Sequence, residues 1–494
     1  MRNKKTSGVF SGLVWTFAER ITAQLVLTIV GIVLARLLTP EHYGIISIVM
    51  VFITLCNVFV TSGFGIAIVQ KKEVDERDYN TAFLMSFLLS LLLYFMLFWS
   101  APIIGNFYQM PELPSVIRVL GLRLIVTSVN TIQQAYIQRT MQFKKFFIST
   151  SFGTVLSGII GIYLAIKGFG VWALVAQYLT NTTVDTIVLS IVGGWHPGRR
   201  VSIKKAKEIY SFGWKVLCTQ LVFTLGGDIR SLIIGKVFGP SELAYYDQGK
   251  KYPALLVNNI NTSIQKVLLP ALSRKQDDQV ALKSTLRKFI KVGMFVLCPL
   301  VIGFAAVADS FVRVVLTDKW VSAVPFIIIF CLSYLTRPIE SACHQAILAI
   351  GKSELVFWIM VAIHVTSLIG TLFSTFVLRS VLWVALFSLA STVVSLICFF
   401  IATRINIDYR LNEQLQDIIP AISISLIMGI FVYFLGKAPF TPWIVLLLQI
   451  AAGGIIYWGM AKISKDESYL YIRKMVLRKK VVIGSKKILK EKSN

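Results

Sequence analysis

Ala35-Arg-Leu-Leu-Thr-Pro-Glu-His-Tyr-Gly44 returns 200 residues later as Gly235-Lys-Val-Phe-Gly-Pro-Ser-Glu-Leu-Ala244, with Arg36 matching Lys236 and Pro40 matching Pro240. Each copy closes an apolar run, where a helix should meet the outer water. A second pair, Gly170-Val-Trp-Ala-Leu-Val175 and Val381-Leu-Trp-Val-Ala-Leu386, falls between the fifth and sixth expected helices of each half. Two matches in one register predict a duplicated six-helix unit. Six helices between the copies make both enter the membrane in the same sense, so the expected symmetry is a pseudo-two-fold along the membrane normal.

The bilayer is the expected solvent. Of 494 residues, 56% are hydrophobic and only 15% charged, more apolar side chain than a soluble core of this size could bury. A spanning helix needs about 20 mostly apolar residues. Such windows predict helices over 12–38, 43–69, 79–100, 114–137, 146–167, 171–193, 209–236, 241–265, 286–308, 322–349, 354–378, 381–402, 417–436 and 441–462. The expected fold class is all-α and polytopic, with about 14 transmembrane helices in two six-helix lobes plus two C-terminal helices. The expected segments are an N-lobe over 1–200, a C-lobe over 201–410, helices 13 and 14 over 411–462 and a basic cytoplasmic tail over 463–494. The first apolar segment follows Arg2, Lys4 and Lys5 as in a signal peptide. It is too long for one, contains Glu19 and Arg20, and lacks a small-residue cleavage pattern, so it reads as a retained first helix.

Basic residues resist translocation and stay cytoplasmic. With the amino terminus inside, most of the 50 Lys and Arg fall on inner segments, among them Lys71, Lys72, Arg77, Arg139, Lys144, Lys145, Arg199, Arg200, Lys204, Lys205, Lys283, Arg287, Lys288 and Lys291. Arg36, Lys167, Lys236, Arg313, Lys319, Arg379 and Lys437 fall outside. This asymmetry predicts an even helix number, both termini cytoplasmic and, in a bacterium, residence in the inner membrane. It also gives the net charge of +26 a topological meaning, so that no nucleic-acid partner is expected. The tail beyond Lys462 reads as a topology anchor on the anionic leaflet.

The stretch at 35–44, the six-plus-six-plus-two plan and the polar seventh and eighth helices together resemble the Wzx-type polysaccharide exporter and oligosaccharide flippase family. That family is a branch of the multidrug/oligosaccharidyl-lipid/polysaccharide exporter superfamily, and the colanic-acid-exporter-like lipopolysaccharide biosynthesis proteins look most similar. The resemblance implies two lobes about a central cavity, alternating access, and a polyprenyl-pyrophosphate-linked glycan as cargo for O-antigen, capsule or exopolysaccharide. Membrane lipids and polysaccharide polymerase machinery are the partners it implies.

Charges at membrane depth locate the candidate site. Arg20, Arg118, Arg123, Lys215, Arg230, Lys250, Lys251, Lys266 and Arg337 accompany only Glu19, Asp185, Asp228, Asp247 and Glu340. A charge at mid-helix costs on the order of 3 kcal/mol, so these groups should face protein, water or each other. Asp247 with Lys250 or Lys251, and Arg337 with Glu340, have the spacing of helical ion pairs. The surplus cations suit a pyrophosphate. The eighth helix, Tyr245-Tyr-Asp-Gln-Gly-Lys-Lys-Tyr-Pro253, is too polar for lipid, puts Lys250 roughly 14 Å below its outer end, and offers a break at Gly249 and Pro253. Lys250, Lys251, Arg337, Arg123 and Arg20 are therefore the phosphate-binding candidates. Arg118 and Arg123 diverge by about 140° and should not share a ligand. Asp228, Asp247 and Glu340 are candidates for binding a sodium ion or proton, the membrane potential being a further driving force. Tyr245, Tyr246 and Trp214 are candidates for stacking on sugars.

No cofactor, metal site or catalytic group is expected. The histidines (His42, His196, His344 and His364) are scattered, and the cysteines (Cys56, Cys218, Cys298, Cys331, Cys343 and Cys398) lie in apolar windows as reduced packing residues. Gly351-Lys-Ser353 lacks the earlier glycine of a phosphate loop. A cation-coupled drug antiporter of the same superfamily is the alternative reading, and surplus buried positive charge opposes its cationic cargo. A multipass polymerase or acyltransferase would need acid and histidine groups arranged for chemistry.

Overall fold

Inside hydrocarbon, a backbone can satisfy its N–H and C=O groups only within its own helix or in a closed barrel, and these apolar runs lack the period-2 alternation of barrel strands. The computed structural model describes residues 22–61, 63–198, 200–464 and 467–470. The described residues are almost wholly helical: α1 (Thr22–Leu37), α2 (Pro40–Thr61), α3 (Phe64–Gln70), α4 (Glu76–Tyr108), α5 (Leu113–Thr140), α6 (Phe143–Ile166), α7 (Val171–Val192), α8 (Ile203–Val237), α9 (Pro240–Ser273), α10 (Gln279–Phe311), α11 (Val324–Leu335), α12 (Arg337–Ala349), α13 (Ser353–Phe376), α14 (Val381–Ile407), α15 (Leu411–Leu435) and α16 (Pro442–Ile463). Eleven stretches among the described residues are long and apolar enough to cross a membrane. The three other expected spans are occupied by α1, which is shorter, and by α7 and α9, which are more polar.

Polarity is inverted relative to a soluble protein. Trp99, Ile103, Ile191 and Ile455 are each more than 70% exposed, while Ser86, Ser149, Ser157, Ser374 and Thr403 are fully buried. Four of these hydroxyls bond back to carbonyls one turn earlier, as Ser374 does to Gly370 at 2.6 Å and Thr403 to Phe399 at 2.9 Å, while Ser86 donates across to the Val60 carbonyl of α2 at 3.1 Å. Small polar residues let helices approach closely where no water is available to drive their association.

The helices outrun the hydropathy windows because polar caps carry them into the aqueous phase. Asp75 accepts from the Asp78 amide at 2.9 Å and Asp78 accepts from the Asp75 amide at 3.0 Å, a capping box that starts α4 three residues before the expected Tyr79. Gln109, at φ 59°, ends the same helix at Tyr108 rather than near Ser100. Asp278 caps α10 through the Ala281 amide in the same way.

The chain divides into two compact units, Met1–Ala244 and Tyr245–Asn494, so the first unit extends past the sixth expected helix to take in α8 and the outermost turn of α9. Within the first unit α4 packs on α5, α6 on α7, and α5 on α7. Within the second unit α10 packs on α11 and α12, α13 on α14, and both α11 and α12 on α14. Shifted by six spans, these are the same pairings, which is what a duplicated bundle requires. The two repeat motifs themselves meet in the first unit: a Cβ at Gly44 would lie 1.8 Å from the Pro240 carbonyl oxygen, so only glycine permits this approach.

The break expected at Pro253 is not there. The α9 helix runs unbroken from Pro240 to Ser273 with Pro253 buried inside it. Proline removes one backbone hydrogen bond, and packing keeps the helix intact around it. Gly249 serves close approach instead, because a Cβ there would stand 2.3 Å from Cβ of Phe326 on α11. The interruptions lie elsewhere, between α2 and α3 and at Thr336 between α11 and α12, where Pro338 opens the new helix.

Candidate functional site

The first unit encloses a polar cavity of 540 Å³ between α2, α3, α5 and α7. Its wall is built by helical periodicity: Arg123, Thr127, Asn130 and Gln134 recur every three or four residues on α5, and on α7 Asn181 and Thr182 stand four and three residues before Asp185. Arg123 Nε donates to Thr182 Oγ1 at 2.8 Å, and its guanidinium lies 5.8 Å from the Tyr178 ring centre. Asn130 Nδ2 donates to Asp185 Oδ2 at 2.8 Å while Gln134 donates to Asn130 Oδ1 at 2.7 Å. Among the described residues no carboxylate lies within 4.0 Å of Arg123. Arg118 turns the other way, donating to the Phe98 carbonyl oxygen at 3.3 Å with its guanidinium 4.6 Å over the Phe98 ring. The two arginines thus diverge as their spacing requires.

In the second unit, Asp247, Gln248 and Lys250 of α9 are buried or half-buried, and Lys251 is exposed with its ammonium 5.8 Å from the Tyr252 ring centre. Arg337, at the start of α12, is exposed and lies 5.4 Å from the Tyr334 ring centre. The expected Arg337–Glu340 ion pair does not form. The Glu340 carboxylate is instead held by the Thr336 hydroxyl at 2.5 Å, and Arg337, with no carboxylate within 4.0 Å among the described residues, acts on it only through space. The reason is local: Thr336 sits one full turn before Glu340, at the joint between the two half-helices, and reaches it first. Lys251 likewise has no carboxylate within ion-pair distance among the described residues.

The sugar-stacking candidates separate. Tyr246 is only 2% exposed, and its ring is packed edge-on against Phe330 at 5.1 Å and Phe326 at 6.0 Å, so it is a core residue with its faces occupied. Tyr245 is half-buried with an edge contact to Trp320 at 6.0 Å, and Trp214 is exposed on α8. Asp228 is half-buried in the first unit. Arg20, and the tail beyond Leu470, lie outside the described residues. His42 bonds Thr39 and His344 packs edge-on to Phe399, while Cys56, Cys298, Cys331 and Cys343 are buried free thiols.

Each unit is also pinned by a charge cluster at the end expected to face the cytoplasm. In the first, Lys71 bonds Asp78 and Glu208 at 2.9 Å each, and Lys205 bonds Asp75 at 2.5 Å and Asp78 at 2.9 Å. Arg139 closes α3 by donating to the carbonyls of Ile68, Lys71 and Lys72. The Lys205 hydrogen bond holds the Asp75 carboxyl at about 2, and the bond to Asp78 pushes Lys71 up. A depressed acid stabilises above its ordinary value of 3.8 and loses that contribution as pH falls through about 2, so this clamp is fully formed at neutral pH. In the second unit, Arg287 grips the buried Asp417 with two bonds of 2.6 and 2.8 Å, joined by Tyr409 at 2.7 Å and Lys291 at 3.3 Å. Lys283 bonds Glu413 at 2.7 Å.

Comparison with known proteins identifies this architecture. A family model described as "Polysaccharide biosynthesis protein" matches residues 33–325, more than half of the chain and inclusive of both 35–44 and its copy at 235–244. The chain belongs to the polysaccharide biosynthesis protein family. This family member is 25% identical over 464 residues to the teichuronic acid biosynthesis protein TuaB of Bacillus subtilis, covering 92% of this chain and 95% of that one. It is 24% identical over 332 residues to the lipopolysaccharide biosynthesis protein WzxC of Escherichia coli, covering 66% of each. The resemblance read from 35–44 and the helix plan therefore holds. Among solved structures, the lipid II flippase MurJ in an inward closed conformation superposes with a TM-score of 0.77, covering 94% of this chain and all of that one at 14% identity, which establishes a shared fold. The family member is a multi-pass helical membrane protein.

Proposed function

We propose that this polysaccharide biosynthesis protein is a flippase carrying a polyprenyl-pyrophosphate-linked oligosaccharide from the cytoplasmic to the outer leaflet by alternating access. The observation that carries the reading is the two cations of the second unit, Lys251 and Arg337, within 4.0 Å of which no carboxylate lies among the described residues. A pyrophosphate supplies the missing negative charge and accepts charge-assisted hydrogen bonds from both. Lys250, one residue before Lys251, adds to the positive field. Membership of a family whose relatives are named for teichuronic acid and lipopolysaccharide biosynthesis supports a glycan cargo, and the duplicated bundle supports rocking about a fixed site. A drug antiporter would place a cation against like charge.

The concentration of lysine and arginine on alternate inter-helix segments supports residence in a bacterial cytoplasmic membrane with both termini inside. No bond is made or broken, so no catalytic group is called for. Glu340, held by Thr336, is the favoured carboxylate for a coupling proton or sodium ion, with Asp228 and Asp247 as the others. The delivered cargo would pass to a polymerase on the outer face. Depleting the protein in cells is expected to trap the lipid-linked oligosaccharide on the inner leaflet while surface polysaccharide disappears. Normal surface polysaccharide after depletion would exclude the reading.

A further inference from the structure

The start of α8 is held to the rest of the first unit in two different ways. Ahead of the helix the chain is anchored on α4. Trp195 is buried with its ring 6.2 Å from Tyr79 and 6.1 Å from Phe83, and the Gly198 amide donates to Asn80 Oδ1 at 2.9 Å. Pulling a buried indole into water is costly, so this part stays put.

From Ser202 onward the hold is shallow. The Ser202 amide donates to Thr81 Oγ1 at 3.1 Å. Among the described residues from Ile203 to Trp214, only Ile209 and Gly213 are buried. Ile209 shares an apolar cluster with Phe64, Ala67 and Ile68 of α3. Gly213 lies backbone to backbone against Gly63, where a Cβ would come within 2.8 Å of the Gly63 carbonyl oxygen. Neither glycine has a side chain to interlock. The remaining links are ionic, from Lys71 to Glu208 and from Lys205 to Asp75 and Asp78. Glu208 is 48% exposed, and ion pairs so open to water hold weakly. Asp78 is 2% exposed and would keep Lys71 and the Asp75 amide if Lys205 left, so release strands no buried charge.

What this end of α8 covers is α3, a helix of seven residues. One face of α3 carries Phe64, Ala67 and Ile68 toward Ile209, while Gly65, Ile66 and Val69 line the polar cavity. The cavity approaches the ion pairs through Val69 and Gln138, which neighbour Lys71 and Arg139 in sequence.

We propose that α8 from Ile203 to Gly213 is a releasable latch on the cavity wall, closed by Lys71 with Glu208 and by Lys205 with Asp75, and tethered by Trp195 and Gly198. Its release frees α3 and opens the cavity toward the cytoplasmic end. The four residues between Gly198 and Ile203 give the helix start room to move while the chain stays tethered. Lys71 and Lys205, parted from Glu208 and Asp75, then meet a phosphate-bearing lipid arriving there. The identity of that lipid rests on the flippase reading; the latch does not.

Two measurements on the full-length chain test it, one of them without cargo. Val69→Cys, in a chain with Cys218→Ala, is labelled by an impermeant maleimide in inverted membrane vesicles. Glu208→Gln is expected to raise the labelling rate about two- to fivefold, the effect of losing one exposed ion pair. Raising salt should speed labelling of the parent chain and have less effect on the Glu208→Gln chain, a response that misfolding does not mimic. In the second measurement, Lys71→Cys and Glu208→Cys are joined by a short reducible cross-linker, and transport of a fluorescent polyprenyl-pyrophosphate oligosaccharide is followed in vesicles. Transport should fall at least tenfold and return on reduction, whereas the same linker across Asn80→Cys and Gly198→Cys, within the tether, should leave it unchanged. Labelling indifferent to both salt and Glu208→Gln would overturn the proposal. So would full transport by the chain linked at 71 and 208, or a block by both links alike. Labelling that responds as expected in a wild-type protein that moves no cargo would instead strike the flippase reading and leave the latch standing.

Discussion

Replacing Lys250, Lys251 and Arg337 together by glutamine should abolish surface polysaccharide export while the protein still inserts and accumulates. Each charge-assisted hydrogen bond to a phosphate oxygen contributes about 1.5–3 kcal/mol, so losing two or three weakens cargo binding by a hundredfold or more. Glutamine stays polar and unbranched and removes the charge, at the cost of one atom of reach against lysine and two against arginine. Arg337 is the sharper single change, because Glu340 is engaged by Thr336 and Arg337 makes no direct ion-pair contact that its loss would break. Surface glycan and membrane abundance, measured on the same cells, separate loss of transport from loss of protein. Wild-type export by the triple variant would exclude a phosphate clamp at these positions.

Asp417→Ala should be the most destabilising single substitution in the second unit. Its side chain is 1% exposed and accepts from Arg287 Nε and Nη2, Tyr409 Oη and Lys291 Nζ, so truncation removes three partners' contacts at once, leaving Arg287 with Glu413, Lys291 with Glu467 and the Tyr409 phenol without this acceptor. Removing one partner of a buried ion pair costs about 3–5 kcal/mol, most of it the price of the charges left behind. The thermal midpoint of the purified protein should fall by several degrees or more. Asp417→Asn, which keeps an acceptor for Tyr409, should lie between alanine and wild type. An unchanged midpoint for the alanine variant would show that the cluster is not what joins α10 to α15.

The helix plan was legible because hydrocarbon imposes a single rule, long apolar runs with breaks, and because the charge asymmetry supported the same count by a separate route. What hydropathy could not register was the polar turn at each end. Asp75 and Asp278 look like loop residues in a hydropathy window and are in fact caps, so the helices they start are longer than expected. Proline was misread at 253, where packing outweighs one missing hydrogen bond, whereas Arg337-Pro338 marks a real joint. The pairing rule also failed there: Arg337 and Glu340 have helical spacing, yet Thr336, at the joint, takes the carboxylate. Tyr246 shows the limit of composition, since an aromatic in a polar run reads as a ligand contact until its neighbours Phe326 and Phe330 are known. The cavity of the first unit carried a signal that net charge concealed. Asn130 with Gln134 and Asn181 with Asp185 repeat at helical spacing on two helices, and counting amides as well as charges would have found them.

Translocation itself offers the most direct test. Full-length protein is reconstituted in vesicles whose inner leaflet carries a fluorescent polyprenyl-pyrophosphate oligosaccharide, and arrival outside is read by a membrane-impermeant glycan-cleaving enzyme. Protein-dependent arrival of the label, absent with the Lys250, Lys251 and Arg337 triple variant, is the predicted result. Label that stays inside in the presence of correctly inserted wild-type protein, under an imposed sodium or proton gradient of either sign, would contradict it.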